Sequence, residues 1–202
     1  MSAISGLFGC GLLSLAAIVT GLRLQRFSLG ARIAVMLAAA LAVFAPIGDL
    51  SAAAYVRGVT GDLSVTTLVL AGAACVAQLT GRPVIAPRDL RALFWLVASA
   101  AAFLYPFALG GTRFDPYALG YGSIVFVTAL LLVTLAARYF RRDAVALIVI
   151  AAALAYLLGA YESRNLWDYL IDPLAALYAM VRLLAGARRR PGEPAETKGH
   201  AA

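Results

Sequence analysis

This sequence implies an all-α fold, specifically a polytopic transmembrane helical bundle of about seven spans with its N-terminus outside and its C-terminus inside. Three observations carry that reading. Apolar runs recur along the chain at close to the roughly 20 residues that a hydrocarbon core about 30 Å thick demands. Arginines collect at one set of alternating turns and carboxylates at the other. Alanine and glycine fill the run interiors, as at Ala71-Gly72-Ala73-Ala74 and 98–102, where small side chains let helices approach closely. The composition agrees: of 202 residues, 63% are hydrophobic and 13% charged, with a mean hydropathy of +0.88.

The elements follow in order. Helices are expected over about 4–22 and 31–47, joined by a basic turn with Arg23, Arg26 and Arg32. Pro46 and Gly48 end the second. Ser51 can cap one short interfacial helix through Ala52, Ala53 and Ala54. A third long helix covers about 63–79 and returns to Arg82, Arg88 and Arg91. The fourth covers about 93–109, with Trp95, Tyr105 and Pro106 near its ends and Gly110-Gly111 as the stop. The fifth covers 121–139, ending at Arg138, Arg141 and Arg142, and the sixth 144–161. The last covers about 166–184 and ends at Arg188, Arg189 and Arg190. From Pro173 to Ala187 it would reach only about 22 Å, short of the core thickness, so it is expected either to start near Leu166 or to lie partly in the interface.

One integral membrane helical domain over 1–187 is therefore expected, with a disordered basic and polar cytoplasmic tail over 188–202. The location that follows is a bacterial inner membrane, multi-pass. The formal charge of +7 fits arginines at helix ends better than a nucleic-acid partner. The expected partners are membrane lipids and a membrane protein or a second copy of the chain. The first run has no basic residue ahead of it, which argues against a cleaved signal. Cys10 and Cys75 lie singly in apolar runs and His200 in the tail, so none carries a metal or redox signal.

Function is expected where the acids gather. Asp49, Asp62, Asp115, Glu162, Asp168 and Asp172 all lie on the outer side in this topology. Capping accounts for part of the cluster: Asp172 precedes Pro173, Asp115 precedes Pro116, and Asp62 can start the third helix. Density argues for more. The segment 161–169 packs Glu162, Ser163, Arg164, Asn165, Trp167, Asp168 and Tyr169 between apolar runs. Were it helical, Glu162, Asn165, Tyr169 and Asp172 would form one polar stripe. Arg57, Arg113 and Arg164 supply cations, and Tyr117 joins the loop before the fifth helix.

Arg57, Asp62, Arg113, Asp115, Tyr117, Glu162, Arg164, Asn165, Asp168, Tyr169 and Asp172 are accordingly the expected ligand-binding set. It suits a small polar solute, ion or lipid headgroup, in passive transport or lipid handling. No cofactor is called for, although these oxygens could take a divalent cation. Metalloprotease, P-loop and nucleophile-elbow motifs are missing, which sets an enzyme below the other readings. An accessory subunit of a membrane complex is the alternative, and a carboxylate- or metal-dependent membrane enzyme the third.

Overall fold

The computed structural model describes residues 2–108 and 114–188. Over them, the apolar runs fold into helices that are mostly shorter than a bilayer requires. They are α1 (Ser2–Gly21), α2 (Leu29–Phe44), α3 (Ala52–Thr60), α4 (Val65–Thr80), α5 (Pro87–Ala108), α6 (Ile124–Tyr139), α7 (Asp143–Leu157), α8 (Leu166–Leu170) and α9 (Pro173–Arg188). Single 3₁₀ turns occupy Leu24–Arg26 and Tyr117–Gly120.

The seven-span bundle is overturned. Among the described residues one helix, Pro87–Phe107, is long and apolar enough to cross a membrane. Of the others, α2, α4, α6 and α9 have 16 residues each and α7 has 15. The 16 residues of α4 reach about 24 Å at 1.5 Å per residue, against a core of roughly 30 Å. The chain instead packs as an all-α globular domain around buried hydrophobic clusters. With the spans fall the readings built on them: the outside-to-inside topology, the multi-pass inner-membrane location, membrane lipids and membrane proteins as partners, and integral membrane transport, accessory or enzymatic roles. The sequence was misleading because runs of 16 residues rich in Ala, Leu and Val are as apolar as spans and yet too short to cross a bilayer. Ala45 and Leu158 end α2 and α7 a few residues before the expected bounds.

Two clusters organise the interior. α1, α2 and α4 enclose Ala16, Val19, Leu24, Ala71 and Cys75, and α3 packs on α1. The larger cluster joins α5 to α9, with Leu93, Phe94, Val97, Ile148, Val149, Trp167 and Tyr169 at its centre. α4 bridges them by packing on both α1 and α7. Many large apolar side chains nevertheless stay exposed, Leu41, Ile124 and Leu158 among them.

Local chemistry sets the breaks. Ser51 caps α3 by accepting the Ala54 N–H, so the short helix after Leu50 forms where expected, although not as an interfacial one. The sequence reading missed the tiny hairpin before it, in which Pro46–Ile47 pairs antiparallel with Leu50–Ser51 around Gly48 at φ 70. α5 starts at Pro87 rather than near Leu93, because proline suits a first helical turn. The expected helix over 166–184 is broken in two. Ile171 is extended and Pro173 has no N–H to give, so α8 stops and α9 restarts from Asp172.

Candidate functional site

The segment between α7 and α9 builds the site, and it is not one helix. Residues 161–165 are irregular, so the polar stripe of Glu162, Asn165, Tyr169 and Asp172 does not form. What forms is a pinned loop. Asn165 is wholly buried and caps α8 by accepting the Trp167 N–H at 3.0 Å. Its amide donates to the Tyr117 carbonyl at 2.9 Å, tying the loop to the 3₁₀ turn Tyr117–Gly120. Gly120 must be glycine there, since a Cβ would fall 1.7 Å from Asn165 Oδ1. The Trp167 indole N–H donates to the Pro116 carbonyl at 3.0 Å. Tyr169, also fully buried, accepts the Tyr161 N–H at 3.1 Å and donates toward the Ser163 carbonyl. Asn165 and Tyr169 are thus scaffold.

This scaffold leaves a cavity of about 440 Å³. Asp62, Asp168 and Asp172 line it together with Tyr105, Tyr117 and Tyr161, and Thr60, Ser163, Leu104, Ile171 and Pro173 complete the wall. Among the described residues, no Arg, Lys or His lines it.

The three carboxylates differ in what they already do. Asp172 is fully engaged. Its Oδ2 accepts the Ser64 N–H at 2.8 Å, the Ser64 hydroxyl at 2.8 Å and the Thr67 hydroxyl at 2.6 Å. Its Oδ1 accepts the Ala175 N–H at 2.7 Å as the N-cap of α9. Together with the Thr66 hydroxyl on the Leu170 carbonyl, it fastens α4 to the α8–α9 joint. Asp62 is held by Arg57, whose Nε lies 3.0 Å from Oδ1, and the pair rests against Gly6 of α1. It does not cap α4, because Ser64 does. Asp168 stands in the first turn of α8 and accepts the Tyr117 hydroxyl at 2.9 Å and the Ser163 hydroxyl. It has two neutral donors where Asp172 has four, and no cation where Asp62 has Arg57, so its charge is the least compensated of the three.

The tyrosines stay protonated. Desolvation, with smaller contributions from the nearby aspartates, raises Tyr105 and Tyr161 each to about 12. Tyr117 is raised as well, first by desolvation and then by its bond to Asp168. Three neutral phenols thus face three acids.

Other expected site residues lie elsewhere. Asp115 is exposed and accepts the Tyr117 and Ala118 N–H groups, as the capping account has it. Glu162 and Arg164 are exposed on the loop. Arg113 lies outside the described residues, as does nearly all of the tail over 188–202. Thr60, Tyr105, Tyr161 and Ser163 belong to the cavity wall but not to the expected set. In the sequence an aromatic at the end of an apolar run reads as a membrane-belt residue, which hides Tyr105 and Tyr161. Among the described residues, no group of three or more His, Cys, Asp or Glu converges closely enough to hold a metal ion. Compared with known protein families, curated proteins and solved structures, the chain matches none.

Proposed function

We propose that the chain is a binding protein for a small organic cation, held in the cavity between Asp168 and the rings of Tyr105, Tyr117 and Tyr161. The observation that carries this reading is the make-up of the wall: three carboxylates and three tyrosines, with no basic side chain among the described lining residues. Arg57 offsets one of the three negative charges through Asp62. An alkylammonium group is attracted both to a carboxylate and to aromatic faces, the latter by about 0.5–2 kcal/mol each depending on desolvation. The cavity volume falls in the range of small-molecule sites, roughly 300–1,000 Å³. A hard divalent ion is the poorer fit, because Asp172 spends its oxygens on four donors and the carboxylates form no metal-holding group.

Calorimetric titration of the full chain with tetramethylammonium and with tert-butanol tests the reading. Saturable binding of the cation alone is expected, weakened about tenfold or more in Asp168→Asn. Equal behaviour of the cation and the alcohol, or no effect of the substitution, contradicts it.

A further inference from the structure

At the other end of α5 the structure forms a second cleft, of about 490 Å³, lined by Pro87, Arg88, Arg91, Ala92, Trp95 and Arg142. We infer that it is a binding site for a phosphate ester carrying a planar ring, with Arg88, Arg91 and Arg142 taking the phosphate and Trp95 the ring.

The placement is specific. Arg88, Arg91 and Trp95 stand three and seven residues apart on one exposed face of α5. Arg142 comes from a different element, the turn between α6 and α7, and reaches the same cleft. That turn closes with the Arg142 N–H on the Ala137 carbonyl at 2.7 Å and puts Arg141 at φ 54, a left-handed position usually given to glycine. Asp89 lies buried behind the arginines. Its Oδ1 has no hydrogen bond, yet sits 3.6 Å from Arg88 Nε and 3.8 Å from Arg142 Nη1. These distances are ion pairing without a committed hydrogen bond. Asp89 therefore holds the two guanidinium groups by charge while leaving their N–H groups available. Three cations against this one anion leave the cleft positive.

Two physical arguments favour an anion here. Arg88 and Arg91 occupy the first turns of α5, where the helix dipole disfavours cations and favours a negative group. Guanidinium forks match phosphate oxygens bidentately, and three arginines against one aspartate leave a double positive charge that suits a dianionic phosphate better than a single carboxylate. Trp95 is 57% exposed, an open indole face beside the cations on which a planar ring can stack.

The experiment titrates the full chain with phenyl phosphate, glycerol phosphate and vesicles containing phosphatidic acid. Phenyl phosphate is expected to bind most tightly. Arg91→Gln and Arg142→Gln should each weaken it about tenfold or more, with Arg91→Lys losing less. Trp95→Leu should bring phenyl phosphate down to the affinity of glycerol phosphate. Unchanged circular dichroism and melting temperature identify these variants as folded. A variant that fails to fold is replaced in the comparison by Arg88→Gln, whose side chain is 63% exposed. Binding unaffected by the arginine substitutions overturns the inference. So does binding to the vesicles alone without response to either soluble ester.

Discussion

The two ends of α5 differ in sign. Its first turns present Arg88, Arg91 and Trp95 to a cleft shared with Arg142, and its last turns present Leu104 and Tyr105 to a cavity shared with Asp62, Asp168 and Asp172. Arg88 and Tyr105 are 17 positions apart, about 26 Å along a helix. The separation is well beyond a Debye length of roughly 8 Å at physiological ionic strength, so the two sites act independently on small ions. The acid end is built from an irregular loop pinned by buried hydrogen bonds, and the basic end from helix faces and one strained turn. Substitutions in the buried loop should therefore cost more stability than substitutions at the cleft.

Asp172 gives the largest expected effect. Asp172→Ala leaves the Ser64 and Ala175 N–H groups and two hydroxyls without their acceptor, at a cost of about 3 kcal/mol or more. Thermal melting should fall by roughly 6–12 °C for a chain of this size. Asp172→Asn should lose a smaller part, because its one amide oxygen can serve the three donors on Oδ2 only by turning the nitrogen onto the Ala175 N–H. This departs from what the Asp-Pro dipeptide implies, since at an ordinary N-cap Asn replaces Asp almost without loss. A wild-type melting temperature in Asp172→Asn would break the account of the α4–α9 clip. Gly120→Ala comes next. The added Cβ meets Asn165, which is itself held, and a loss of about 1–3 kcal/mol in chemical denaturation is expected.

The basic end is predicted to respond in the opposite direction. Arg141→Gly relieves a left-handed φ of 54 and should stabilise the fold by up to about 1 kcal/mol. A destabilised Arg141→Gly would show that this side chain contributes more than the turn costs. The smallest effect concerns pH. Tyr105 and Tyr161 have folded values near 12 against an ordinary value of about 10, so the unfolded chain loses these protons first. Their contribution is fully present below about pH 10 and fades as pH rises through 12. An ultraviolet titration of tyrosinate should show late-ionising groups, one fewer in each of Tyr105→Phe and Tyr161→Phe.

Some of this was legible in the sequence. The all-α class, the short helix after Ser51 and the acid-rich character of residues 161–172 all follow from caps, periodicity and composition. The number of spans did not, because a run of 16 residues is as apolar as a span by hydropathy, although its helix reaches only about 24 Å. Asn165 and Tyr169 look like ligands in the sequence, being polar beside Asp168. Their burial and their backbone partners, which only folding reveals, make them scaffold. The Arg88, Arg91 and Arg142 grouping was equally hidden, since Arg142 comes from the turn before α7, far along the chain from the α5 pair, and each had an adequate explanation as a helix-end charge.

The central claim is that the tyrosine-lined end selects cations through Asp168. A chemical-shift titration of the full chain with tetramethylammonium tests it most directly, reading the ring signals of Tyr105, Tyr117, Tyr161 and Trp95 together. The account predicts saturable shifts confined to the three tyrosines and abolished in a folded Asp168→Asn variant. Shifts that include Trp95, fail to saturate or survive the substitution would contradict it.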